Sequence, residues 1–152
     1  MKESSIVGRA QRFLEKKRRC HIARQVGIGS EEVFEPRQKR KVDLVGLTGG
    51  GKIYVAECKA GTVRRPIHGL GQLLFYRALI EQNTNDFLRR LKDEKRLLKY
   101  RKQMENSSQI KFRYYLFVSP EDKAKFKKIS SKGIFKHLER ICGVKTQPLP
   151  VH

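Results

Sequence analysis

Asp43, Glu57 and Lys59 are the residues of this chain best suited to chemistry, and all lie in "KVDLVGLTGGGKIYVAECKA", residues 41–60. A lone buried charge is costly, so charges inside a sheet are paired or hold a metal. The run reads as two strands around Gly49, Gly50 and Gly51. With Gly50 central, Asp43 and Glu57 are each seven residues away and face one another in a symmetric hairpin. Directly opposed residues have Cβ atoms roughly 4.5–5.5 Å apart, so two carboxylates there repel unless a cation lies between them. Lys59, two residues past Glu57, projects from the same face. Such oxygen donors suit Mg2+ or Mn2+, and a water polarised by that ion can attack a phosphodiester. A bulge in the turn would put Asp43 on the other face. The competing reading is an ordinary ion cluster on a surface hairpin. Apolar neighbours oppose it: Val42 and Leu44 are expected on one face, Val45 and Leu47 on the other.

Elements on either side must position this hairpin. Residues 4–18 read as an amphipathic helix, with Ile6, Val7, Ala10, Phe13 and Leu14 on one face. Residues 20–29 read as a strand, and 30–40, broken by Pro36, as a loop. "GTVRRPIHG", 61–69, reads as a loop before a helix over 70–83 that carries Leu73, Tyr76 and Ile80 on one side. A basic helix capped by Asn85 is expected over 86–104, with Phe87, Leu91, Leu98 and Met104 as its apolar stripe. Residues 110–119 are the most strand-like run. Ser119 and Pro120 read as the start of a helix that breaks near Ser130–Gly133, and 144–152 as a short strand or tail. Three sequential strands suit an antiparallel meander, and a fourth after a helical crossover suits parallel placement. The expected fold is α/β: a mixed sheet of four to five strands flanked by helices, core order αβββαβ, in a single domain over residues 1–152.

Composition narrows the partners. The 152 residues carry 35 Lys and Arg against 15 Asp and Glu, a net charge of +20. That imbalance opposes compaction and points to a polyanion, nucleic acid by default. No apolar run nears the length of a membrane span, and the N-terminus has no signal-like apolar region, so a cytoplasmic protein with no membrane partner is expected. Cys20, Cys58 and Cys142 are odd in number and lack zinc spacing, which suits small core residues in a reducing compartment. Nothing in the sequence calls for a small-molecule cofactor.

Asp43, a spacing of about a dozen residues, then Glu57-Cys58-Lys59 across a hairpin resembles the signature of the PD-(D/E)xK, or restriction-endonuclease-like, nuclease superfamily. Gln72 and Tyr76, in "GLGQLLFY", resemble the Gln-x-x-x-Tyr helix pattern of many of its members. Val42 stands where the signature often has proline. The resemblance implies a restriction-endonuclease-like fold. It also implies Asp43 and Glu57 as metal ligands with the carbonyl of Cys58, Lys59 acting on the attacking water or the phosphate, and Gln72 touching the phosphate or a metal-bound water. Tyr76 is expected in the core, as is the Cys58 side chain. The family often places a further acid on the first helix, where Glu3 and Glu15 compete. At 100° per residue, Glu3 falls within about 20° of the apolar stripe and Glu15 about 140° away, which selects Glu3.

Arg64, Arg65 and His68 directly follow the catalytic strand and are the first candidates for phosphate contacts; Arg37, Lys39, Arg40 and Lys41, leading into Asp43, are the second. The expected activity is Mg2+-dependent hydrolysis of DNA phosphodiester bonds by a homodimer, since cutting both strands needs two sites. A Holliday-junction resolvase of the same superfamily, an RNA-processing nuclease, and a non-catalytic nucleic-acid-binding protein stay open as alternatives.

Overall fold

A computed structural model of the chain describes residues 3–28, 41–61, 64–100, 109–119, 124, 127–128 and 133–149. Helix α1 (Glu3–Lys17) leads into β1 (His21–Gly27), then β2 (Lys41–Leu47) and β3 (Lys52–Ala60). Helices α2 (Arg64–Gln82) and α3 (Thr84–Lys92) and a 3-10 turn (Lys95–Tyr100) cross to β4 (Lys111–Ser119). Helix α4 (Ile134–Cys142) returns the chain to β5 (Val144–Pro148). The sheet order is β1-β2-β3-β4-β5, antiparallel across the first three strands and parallel from β3 onward. This is the expected α/β architecture, a mixed sheet flanked by helices, with a fifth strand at its edge.

The hairpin follows its predicted register. Leu44 lies opposite Ala56, Val45 opposite Val55, Gly46 opposite Tyr54 and Leu47 opposite Ile53, which centres the turn on Gly50. Gly51 closes it with a φ of 82°, a left-handed conformation that glycine adopts without steric cost.

Each face of the sheet buries one apolar layer. Ile6, Ala10 and Leu14 of α1 cover Leu44, Ala56 and Phe117, with the Phe13 ring edge-on to Phe117 at 5.5 Å. Leu73, Tyr76 and Ile80 of α2, joined by Leu91 of α3, cover Val45, Val55, Leu116 and Val118. Helix α1 thus buries the stripe that its 3.6-residue spacing predicts, and Tyr76 sits in the core as expected.

Two helix boundaries differ from expectation. Residues 64–69 are not loop: α2 starts at Arg64, with Pro66 in its first turn. Proline costs nothing there, because a first-turn N–H has no acceptor within the helix. The basic segment is not one helix over 86–104. Asn83 rather than Asn85 precedes α3, which ends at Lys92, and a tighter 3-10 turn follows. Leu97 is buried there, whereas Leu98 is exposed and Met104 lies outside the described residues. The helix tightens at its end: the Asp93 N–H donates to the Arg90 carbonyl at 3.2 Å and the Glu94 N–H to the Leu91 carbonyl at 3.1 Å, three-residue bonds of the kind that lead into a 3-10 turn. The expected helix start at Ser119–Pro120 falls at the edge of the described residues, since β4 ends on Ser119. Further on, Gly133 with φ 137° immediately precedes α4, in line with a break in this region.

Candidate active site

The main-chain ladder between β2 and β3 has its last regular pair at Leu44 and Ala56. Asp43 and Glu57 are the next two residues on their strands, and side chains take over the pairing. The Asp43 N–H donates to Glu57 Oε1 at 3.3 Å, and the Cys58 N–H donates to Asp43 Oδ2 at 2.9 Å. The ladder between β1 and β2 is interrupted at the same level. Arg24 pairs with Leu44 and Val26 with Val42, but Gln25 and Asp43 between them do not pair. Gln25 adopts a left-handed φ of 53° and donates from Nε2 to Asp43 Oδ1 at 3.1 Å. That conformation costs a non-glycine residue on the order of 1 kcal/mol.

The interruption corrects one expectation. Val42 does not share a face with Leu44. Val42 joins Val45 and Leu47 in the layer under α2, while Leu44 lies under α1. Alternation slips by one residue at Asp43, because neither neighbouring ladder holds it in a regular pleat.

Glu57 is buried at 2% exposure, among apolar residues of β2, β3 and β4. Burial pushes its carboxyl up to about 8, and the Asp43 carboxylate adds to the rise, while the Lys59 ammonium pulls it down. Lys59 Nζ lies 3.8 Å from Glu57 Oε2. The Lys59 stem is pressed by α2: a methyl group at Gly69 would come within 2.8 Å of Lys59 Cγ and 2.6 Å of Leu116 Cδ1. Only glycine lets the helix lie this close. Gln72 is one turn further along α2, and its Oε1 is buried without a hydrogen-bond partner.

The structure thus brings Asp43, Glu57 and Lys59 together and sets Gly69 against Lys59. Cys58 points its side chain into the layer under α1, leaving its backbone at the site. Glu3 is the first residue of α1, and its side chain lies outside the described residues. Glu15, the rejected alternative, is exposed and accepts a hydrogen bond from Gln11 Nε2 at 2.8 Å. Arg65 and His68 are exposed on the first turns of α2, and Lys41 is exposed at the start of β2. Arg64 opens α2, but its side chain is not among those described; Arg37, Lys39 and Arg40 lie outside the described residues altogether.

Gln25 and Gly69 are the two site residues that sequence reasoning missed. Gln25 sits across from Asp43 at the end of a strand whose register is hidden behind residues 29–40. Gly69 carried a signal, a glycine beside a helical run, but its helix was expected to start one residue later.

The donor set fits a hard divalent cation: two carboxylates linked through hydrogen bonds to the main chain of Asp43 and Cys58. Among the described residues no three His, Cys, Asp or Glu side chains converge on one point, so water or main chain would complete the coordination. Among the described residues, too, no helix is long and apolar enough to cross a membrane.

No family model matches the sequence, and no curated protein matches it. Among solved structures, the chain is similar to one described as a repair endonuclease from Pyrococcus abyssi, at 17% identity and a TM-score of 0.42. That alignment covers 100% of this chain and 49% of the other, so the chain spans about half the length of that structure.

Proposed function

We propose that the protein is a Mg2+-dependent (or Mn2+-dependent) nuclease of the PD-(D/E)xK superfamily that hydrolyses phosphodiester bonds in DNA. The observation that carries this reading is the meeting of a buried glutamate, an aspartate and a lysine where the β2–β3 ladder ends. A carboxyl group this deep in an apolar layer, facing a second one, is unfavourable unless a cation joins them. Asp43 and Glu57 would hold the ion with the carbonyl of Cys58. The ion supplies a polarised water and neutralises charge on the phosphate. Gln25 and the Cys58 N–H orient the Asp43 carboxylate by occupying both of its oxygens on one side each. Lys59, held by Gly69 and paired with Glu57, presents its ammonium to the attacked phosphate or the water beside it. Gln72, one turn beyond Gly69 on α2, is proposed to offer its unpartnered oxygen to the phosphate or a metal-bound water. Glu3 is proposed as the auxiliary acid, and Arg64, Arg65, His68 and the basic run Arg37, Lys39, Arg40 and Lys41 as phosphate contacts. A homodimer would supply the second site for a double-strand cut.

Cleavage of supercoiled plasmid with and without Mg2+ tests the reading, beside Glu57→Ala and Lys59→Ala. Metal-dependent nicking that each variant lowers by about 100-fold or more is expected. Duplex, four-way junction and RNA substrates then separate the endonuclease from the resolvase and RNA readings. DNA binding with no cleavage of any of them would favour a non-catalytic binding protein.

A further inference from the structure

A groove of about 500 Å3 opens at the other end of the hairpin from Asp43 and Glu57. Lys17, Arg18 and Arg19 line it from the end of α1, Lys52 from beside the glycine turn, and Arg113 from the start of β4. No carboxylate lines it, and among the described residues none of these five cations takes part in an ion pair. Five unneutralised like charges around one groove repel each other, and an anion entering it removes that cost. Arg18 is held in place: its Nη2 donates to the Tyr115 hydroxyl at 3.5 Å, and its guanidinium lies 5.8 Å from the Phe13 ring. Tyr54 and Tyr115 line the groove with their ring centroids 5.5 Å apart, edge to face. Both are buried, so neither offers an open face on which a base could stack. The groove therefore offers contacts to phosphate and none suited to reading bases.

Lys52 and Glu57 are five residues apart on β3, about 17 Å at the rise of an extended strand. By alternation, their side chains leave opposite faces of the sheet. A phosphate in the groove is thus not the phosphate at Asp43 and Glu57. We propose that the groove is a second, sequence-independent anion site that grips nucleic-acid backbone away from the bond to be cut. The inference rests on the nuclease reading only in taking nucleic acid as the polyanion. It requires substrates that extend at least about five base pairs beyond the cut, from a rise of about 3.4 Å per pair.

The test compares the wild type with Lys17→Gln/Lys52→Gln/Arg113→Gln, and with a charge-matched control, Lys95→Gln/Lys136→Gln/Arg140→Gln. All six positions are exposed. Circular dichroism and thermal melting first establish that each variant is folded. Binding to a 30-base-pair duplex is then measured in chelator across a salt series, so the readout does not depend on cleavage. The groove variant should lose up to about 2.7 from the slope of log K against log salt, about 0.9 for each phosphate contact removed. The control should lose less than about 1. In cleavage assays the groove variant should raise KM and leave kcat within about twofold. Duplexes shorter than the span should be cleaved by the wild type and the groove variant with the same KM. A groove effect in a protein that never cleaves would uphold this inference while removing the nuclease reading. Equal slope losses in both variants, with cleavage intact, would overturn the groove and leave the nuclease reading standing. Loss of binding to anionic vesicles without loss of DNA binding would also overturn it, by assigning the groove to a lipid surface.

Discussion

Replacing Glu57 with glutamine should make the metal-free protein more stable as pH rises, although Glu57 lies at the proposed centre of function. The folded carboxyl titrates at about 8 rather than at its ordinary 4.5. A group raised in this way contributes its stability below the unfolded value and loses it as pH climbs through the folded value. Between pH 4.5 and pH 8 the unfolded chain has released the proton that the folded chain still holds, so unfolding becomes easier. The full interval is worth on the order of 5 kcal/mol, at about 1.4 kcal/mol for each pH unit, and at pH 7 on the order of 3 kcal/mol. Glutamine has the same shape and no proton to lose. Urea unfolding in chelator at pH 5, 6, 7 and 8 should show the wild type losing stability across the series relative to Glu57→Gln. Adding Mg2+ at pH 8 should restore the wild type and leave the variant unchanged, because an ion bound by the folded state stabilises it. If the difference between the two proteins is flat with pH, or favours the wild type as pH rises, then Glu57 is not an uncompensated buried acid. The case for a cation at this position would fall with it.

Three further substitutions probe the supports of the site. Gly69→Ala forces a methyl group against Leu116 and the Lys59 stem; a loss of about 1–3 kcal/mol by urea unfolding is expected, with cleavage falling further than stability alone explains. Gln72→Met removes a buried oxygen that has no partner; thermal melting should show stability unchanged or about 1 kcal/mol higher, while cleavage drops if that oxygen serves water or phosphate. Phe117→Ala empties the centre of the layer under α1, where Phe117 is fully buried against Phe13; a cost of about 3–5 kcal/mol by chemical denaturation is expected, without an altered pH profile.

The sequence by itself determined the elements whose signal is local. Short apolar runs rich in branched and aromatic residues marked β3 and β4, and the 3.6-residue stripe of α1 chose its buried face. Three glycines between two apolar runs fixed the hairpin register, so the approach of Asp43 to Glu57 could be counted from residue numbers alone. Helix boundaries in the basic region were less legible. Pro66 and Gly69 look like loop residues, yet Pro66 is harmless in a first helical turn and Gly69 is there for clearance. The length of α3 depended on three-residue hydrogen bonds at Asp93 and Glu94 that a hydrophobic pattern does not register.

Tertiary structure alone decided the environment of the site. Residue spacing could bring two carboxylates together, but only the layer under α2 makes Glu57 a buried acid that favours its proton. Register counting gave Asp43 a partner on β3. The partner on β1, Gln25, depended on the register at which the chain returns as β2 after residues 29–40. The five cations of the groove come from α1, the segment after it, β3 and β4, separated by up to 96 positions in the chain (17 to 113). Charge runs in a sequence show that cations exist. Which of them share one surface without an acid between them is settled by how a helix end, a turn and a strand meet.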